Sequence, residues 1–286
     1  MVKLLGGRKG YISPLVLTLL GLSVSSVLAQ DEGQAKQRLE FMRAAVESLE
    51  PESAASTPKA ALTFASKPLL RYSDPTRGGI DAASENITVL LDASVWRLGM
   101  EGRPTALVTV EIYQAPDESR VLAFEFLSLS EAKFALQHKT ENIRWDPTDS
   151  AVIMKEMPSA SKPADSATAR LVQMRKLAQR FSVNERLKNE AIECRLLTQP
   201  IDRYKSAKEK IADGAIFTFA NGTNPEIGLV FESDGERWRY GILRLTAAEV
   251  SVTLDGRQIA AYDRFNAHSR TDWPYHGASH RIRQEK

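Results

Sequence analysis

Two stretches of this 286-residue chain carry apolar residues at a helical period, and much of the remainder alternates apolar with polar. Between Gln34 and Glu50, Leu39, Met42, Val46 and Leu49 fall three or four positions apart with Phe41 and Ala45 beside them. That spacing predicts an amphipathic helix ended by Pro51. Between Arg170 and Leu187, Leu171, Met174, Leu177, Ala178 and Phe181 line one side, and Arg175, Lys176, Gln179 and Arg180 the other, which predicts a second helix. Elsewhere the period is two. The segments from Leu107 to Tyr113, Val121 to Leu127 and Ile216 to Phe219 have the alternation of half-buried strands. Turn sequences such as Gly102-Arg-Pro104, Asn221-Gly-Thr-Asn-Pro225 and Asp255-Gly256 separate them. In the second half, strands near 214–220, 226–232, 237–245, 248–254 and 257–262 follow one another too closely for parallel crossovers, so an antiparallel meander is expected.

These elements recur. Arg38-Leu-Glu-Phe-Met42-Arg43 returns 132 residues later as Arg170-Leu-Val-Gln-Met174-Arg175, and Pro68-Leu-Leu-Arg71-Tyr72 returns at the same offset as Pro200-Ile-Asp-Arg203-Tyr204. At an offset of 121, Asp92-Ala-Ser-Val-Trp96 aligns with Asp213-Gly-Ala-Ile-Phe217 and continues ungapped to Glu111 and Glu232. The difference falls in the Gly-, Asp- and Ser-rich stretch from Ser73 to Leu91, where a surface loop absorbs an insertion. The expected fold class is therefore α+β: two tandem pseudo-repeats, each an amphipathic helix packed on an antiparallel β-meander sheet. Repeat 1 would span 30–157, a linker 158–168 and repeat 2 169–265, with a flexible tail at 266–286 where the apolar period disappears. One helix on a small sheet buries little, so the repeats are expected to pack together about a pseudo-twofold axis.

The N-terminus changes the picture of where the chain works. Lys3, Arg8 and Lys9 precede an apolar run from Tyr11 to Leu28, and Val27-Leu28-Ala29 stands before the first acidic residues. This predicts a secretory signal peptide over 1–29 and an exported protein, periplasmic or extracellular. The membrane would be touched only through that segment, were it left uncleaved. Its removal takes away three basic residues and leaves 35 basic against 36 acidic, so the formal charge of +2 becomes −1. A near-neutral chain with interspersed charges has no footprint for nucleic acid. The single Cys194 excludes an intrachain disulfide, so stability must come from burial.

Candidate chemistry is sparse. Arg71, Tyr72, Asp92 and Glu111 match Arg203, Tyr204, Asp213 and Glu232, and polar residues held in both repeats are expected to complete buried pairs inside each sheet. His276-Gly-Ala-Ser-His280 has ligand-like spacing, but Pro274 and Gly277 oppose a helix and the Glu of a zinc-protease motif is missing, so no metal or other cofactor is expected. Cys194 lies in an apolar strand-like run and reads as core. Glu111 and Glu125, both among strand residues, are the candidate acid pair for a glycosidase, and Cys194 with His138 the candidate pair for another hydrolase. Trp96, Trp145, Trp238 and Trp273 could line a sugar surface, although Trp96 sits at a core position. The sequons at Asn86 and Asn221 carry little weight, the second being a turn.

Taken together, the signal segment, Lys67-Pro-Leu-Leu-Arg-Tyr-Ser-Asp-Pro75, Gly102-Arg-Pro104, Phe126-Leu-Ser-Leu129, Arg170-Leu-Val-Gln-Met-Arg-Lys-Leu-Ala178 and Asp213-Gly-Ala-Ile-Phe217 resemble a group of exported bacterial proteins with no assigned activity. The resemblance implies a shared fold and export, and no catalytic or cofactor residue comes with it. The expectation is a non-catalytic binding or structural protein of the cell envelope, with an envelope protein or small ligand as partner in the groove between the repeats. The alternative is a hydrolase acting on an envelope or extracellular polymer.

Overall fold

The computed structural model describes residues 32–53, 62–80, 87–115, 117–187, 190–264 and 270–282. The expected signal segment and the Asn86 sequon lie outside these residues. The chain divides into two units, 1–41 and 42–286. In the first, residues 32–41 are helical, with an exposed ion pair between Lys36 and Glu40. In the second, helix continues through residue 47 (α1, 32–47), and Met42, Ala45 and Val46 are buried. No helix among the described residues is long and apolar enough to cross a membrane.

The fold is mostly β, with two short helices and three antiparallel sheets, and both helices end earlier than their apolar periods suggest. Strand β1 (Leu49–Ser53) follows α1 directly, and Pro51 is tolerated because β1 pairs with one neighbour only. Helix α2 (Ala167–Ala178) starts at Ser166, whose hydroxyl accepts from the Ala169 N–H, and stops at Gln179. The expected third turn and beyond is instead strand β9 (Phe181–Leu187), in which Phe181, Val183 and Glu185 face inward. Phe181 satisfies a period of 3.6 and a period of 2 alike, and the alternation after it decides.

The largest sheet is an eight-stranded curled half-barrel. It runs in the order β15 (Arg257–Tyr262), β14 (Glu249–Leu254), β9, β10 (Glu190–Ser206), β11 (Ile211–Asn221), β12 (Asn224–Ser233), β13 (Trp238–Arg244), β8 (Lys155–Glu156). The expected meander holds from β11 to β13 and again between β14 and β15, and it breaks between β13 and β14, because β14 pairs with β9. Five strands form a second sheet in the order β16 (Tyr275–Ile282), β5 (Arg120–Ser128), β4 (Ala106–Gln114), β3 (Ile87–Leu98), β2 (Leu70–Ile80). A third contains β1, β6 (Phe134–His138) and β7 (Arg144–Trp145). The flexible tail expected from 266 onward is thus corrected over 275–282. Tyr275, His276, Gly277 and Ala278 are buried there, and the strand pairs along its whole length with β5.

Pairing registers in the two halves correspond. Tyr72 lies opposite Ala93 and Ala93 opposite Glu111, as Tyr204 lies opposite Gly214 and Gly214 opposite Glu232. Further along, Pro51 faces Leu136 as Val183 faces Val252.

Two layers of core result. One covers one face of the half-barrel, where α2 supplies Met174, Leu177 and Ala178 against Phe181, Phe217, Phe231, Trp238 and Val252. The other lies between the half-barrel and the five-stranded sheet: Tyr72, Val95, Leu107 and Leu127 pack with Tyr204, Ile216, Val230 and Leu243. Burying these side chains from both sheets at once gives each a second face that neither would fill alone. The end strands are exchanged across this contact. Residues 155–156 from the first half add β8 to the edge of β13, while β16 from the end of the chain adds to the edge of β5. Between them the chains touch, Asp146 N–H donating to the Thr271 carbonyl and Thr148 N–H to the Asp272 carbonyl.

Candidate functional site

Each of the eight matched polar residues lies beside a matched partner. Arg71 donates through Nε to Asp92 Oδ1 at 2.9 Å, and Arg203 through Nε to Asp213 Oδ1 at 3.0 Å; in both pairs Nη2 reaches Oδ2. Asp92 and Asp213 are buried, 2% and 4% exposed. The aspartate beside each arginine, by hydrogen bond first, raises the guanidinium above its usual value. Arg170 Nε also donates to Asp213 Oδ2 and so ties α2 to β11. Tyr72 donates to Glu111 Oε1 at 2.9 Å and Tyr204 to Glu232 Oε1 at 2.8 Å, each phenol crossing a middle strand to reach its acid. A Cβ on Gly214 would stand 2.4 Å from the Tyr204 ring, so this close approach requires glycine.

The surroundings of the two glutamates then part company. Arg103, on the turn before β4, donates Nε and Nη2 to the two Glu232 oxygens at 2.8 Å each, a forked pair joining the halves. Burial alone would lower the Arg103 guanidinium, and the hydrogen bonds and charge of Glu232 outweigh it to hold it above its usual range. Arg97 makes a second connection: it donates to Asp202 Oδ2 at 2.6 Å, both side chains being at most 10% exposed, and to the Gly99 and Gly102 carbonyls. Burial raises the Asp202 carboxyl despite Arg97.

At Glu111 the second partner is another phenol. Tyr113 donates to Oε2 at 2.9 Å, and burial raises Glu111 above the usual carboxylate range, with the Tyr113 and Tyr72 hydrogen bonds opposing it. Glu125, which sequence analysis paired with Glu111, is indeed its neighbour. It lies opposite Thr109 on β4, two positions from Glu111 on the same face. Burial first, then the Glu111 charge, pushes Glu125 well up; Tyr275, donating to Oε1 at 2.8 Å, opposes, Glu226 adds to the rise, and Arg244 opposes it. Desolvation also raises all three phenols, Tyr72, Tyr113 and Tyr275, well above their ordinary value. Glu226 is 1% exposed and sits where the β11–β12 register slips between Phe219 and Ala220. Such a bulge re-aims a side chain without breaking the sheet. Arg244 donates to the Thr246, Ala248 and Asp263 carbonyls and stacks its guanidinium on Tyr262 at 5.5 Å. The arrangement is a desolvated set of carboxylates and phenols in which burial favours the protonated forms.

No family model, curated protein or solved structure matches this chain.

The remaining candidates are dispersed. Cys194 is 3% exposed and packs with Phe181 and Phe219 on the α2-covered face of the half-barrel, beside an open groove of about 480 Å³. His138, its expected partner, stands in the other half, stacked edge-on to Phe124 and to His280 with ring centroids 6.0 Å away. Its Nδ1 accepts the Thr140 and Glu141 N–H groups, and Nε2 contacts Ser48 Oγ at 2.7 Å. Because the Ser48 hydroxyl donates to the Ala45 carbonyl, Nε2 carries the proton. Desolvation first, then His280, lowers His138. His276 and His280, on one face of β16, stack on Phe126 and Phe124. Among the described residues no three His, Cys, Asp or Glu side chains converge as a metal site requires. Trp96, Trp145 and Trp238 are buried, and Trp273 is 38% exposed under Arg270. Asn221 donates to Glu185 Oε2 at the β11–β12 turn.

Sequence reasoning missed Tyr275, Glu226 and Arg244. None of them is repeated at the offsets that singled out the other eight.

Proposed function

We propose that this is an exported, non-catalytic protein of the cell envelope, built by tandem duplication of one helix-plus-sheet module, whose paired sheets form a rigid body for binding or for structure. The observation that carries this reading is the use of the matched polar residues. Arg71 and Arg203, Tyr72 and Tyr204 spend their hydrogen bonds on Asp92, Asp213, Glu111 and Glu232, so the polar groups most characteristic of the chain hold the sheets and do not face a substrate. Equal registers in the two halves and the exchanged end strands fit an origin in a twofold dimer whose subunits became one chain. The space between the halves, where the sequence suggested a partner groove, holds the inter-sheet core, so a partner would meet the outer surface.

The competing hydrolase reading rests on Glu125 beside Glu111. A glycosidase needs one acid ionised and one protonated around an open sugar site, whereas burial raises both of these and Glu111 is 5% exposed. The test is genetic and uses folded variants. In the native cell, Glu125→Gln and Cys194→Ala should each restore the phenotype lost on deleting the gene. Failure of either, with an unchanged melting curve, would turn the assignment towards catalysis.

A further inference from the structure

The exchanged end strands meet their sheets through opposite fits. On the five-stranded sheet the large residue belongs to the sheet and the small one to the arriving strand: Glu125 of β5 lies opposite Gly277 of β16, and Tyr275 closes over Glu125 with a 2.8 Å hydrogen bond. On the half-barrel the sizes are reversed. Just beyond the Tyr240–Lys155 pair, Gly241 of β13 lies against Val152 and Met154. A Cβ added to Gly241 would come 2.3 Å from Val152 Cγ2 and 2.8 Å from Met154 Sδ, so the arriving segment fills the space that glycine leaves. By register, Gly241 is the counterpart of Glu125, and Met154, beside Gly241, takes the place that Gly277 has beside Glu125.

We propose that this size inversion addresses each end strand to its own sheet, and that it makes the edge of β5 a selective acceptor for the segment Tyr275–Ile282 of the same molecule. The mismatched alternatives are unfavourable for separate reasons. Met154 against Glu125 would crowd the sheet, and Val152 in the place of Tyr275 would leave the Glu125 carboxylate without its phenol donor. Gly277 against Gly241 would open a void where Val152 and Met154 now pack. A strand bearing Tyr-x-Gly at these positions therefore fits β5, and one bearing Val-x-Met fits β13. The backbone ladder gives affinity to either, and these two side-chain positions give the choice between them. The inference stands on the geometry of the strands and is independent of export and of catalysis.

Two measurements on the full-length protein test it. A protease site inserted between Arg264 and Arg270 allows the folded protein to be cut there, and a labelled synthetic peptide of residues 270–282 is then offered to the nicked molecule. The peptide should replace the resident strand one for one. A peptide carrying Gly277→Met, or one of residues 147–157, should bind at least about tenfold more weakly, the scale of one lost hydrogen bond to a carboxylate. In the uncut chain, Gly277→Met should lower the melting temperature, and Glu125→Gly added to it should recover most of the loss, because the double variant transplants the Gly241–Met154 fit. Absence of exchange, equal binding of the three peptides, or a double variant no more stable than Gly277→Met overturns the proposal.

Discussion

Replacing Arg103 by methionine isolates the ion pair that joins the halves. Glu232 is fully buried, and its two oxygens receive Arg103 Nε and Nη2 at 2.8 Å with Tyr204 as a third donor. Methionine keeps the apolar stem and removes the fork, leaving a buried carboxylate with one phenol for company. Breaking a buried pair in this way costs about 3–5 kcal/mol. Arg103 keeps 23% of its side chain in solvent, so water can reach the vacated position and the lower end, about 3 kcal/mol, is expected. For a body of this size that lowers the melting midpoint by roughly 6–12 °C. Adding Glu232→Gln, which leaves no charge to bury, should return most of the loss. Urea and thermal unfolding followed by circular dichroism measure both variants, and the two halves should lose structure in one transition. A cost for Arg103→Met below about 1 kcal/mol, the scale of an exposed surface pair, would refute the reasoning, because the pair would then behave as solvated.

The phenols at the matched glutamates should differ: Tyr204→Phe leaves both Arg103 hydrogen bonds on Glu232 and is expected to cost about 1.5 kcal/mol, whereas Tyr72→Phe leaves Glu111 with Tyr113 alone and should cost more, up to about 3 kcal/mol, both read from chemical denaturation. Gly214→Ala should destabilise by about 1–3 kcal/mol, since its methyl would overlap the Tyr204 ring; paired with Tyr204→Ala the penalty of the added methyl should vanish. Glu125 is raised in the folded protein, so its contribution is fully present below the unfolded value of about 4.3 and is lost as the pH rises through the folded value. Glu125→Gln should flatten that part of a stability–pH profile and be at least as stable as the parent at pH 7; a clear loss there counts against a desolvated acid. His138 is lowered, so stability should fall as the pH drops below about 6.5 towards its folded value, and an NMR titration of the ring should place its midpoint below that of an exposed histidine.

The alternation of strands and the position of Arg71, Tyr72, Asp92 and Glu111 beside one another were legible because local period and internal matching both report on single sheets. Helix ends were less so, because Leu49 and Phe181 satisfy helical and extended periods at once. The exchange of end strands was hidden for a different reason. His276-Gly-Ala-Ser-His280 has no apolar alternation to mark it as a strand, and its burial comes from stacking on Phe124 and Phe126 of a strand far back in the chain. Tyr275 and Glu125 meet only through that long-range pairing, and Arg103 finds Glu232 across two sheets. Contacts of this kind are set by tertiary docking, to which neither residue propensity nor spacing is sensitive.

A chain that emerges from its point of synthesis N-terminus first meets a particular difficulty in this arrangement. Glu125 appears 150 positions before Tyr275. Until β16 arrives, the edge of β5 stays open and Glu125 lacks its phenol, so the first half cannot reach its finished state before that segment is made. Completion is postponed until Tyr275–Ile282 has emerged, from the ribosome or from any membrane pore that the chain then crosses. A molecule truncated before Tyr275 would present a bare sheet edge, a ready target for quality-control proteases.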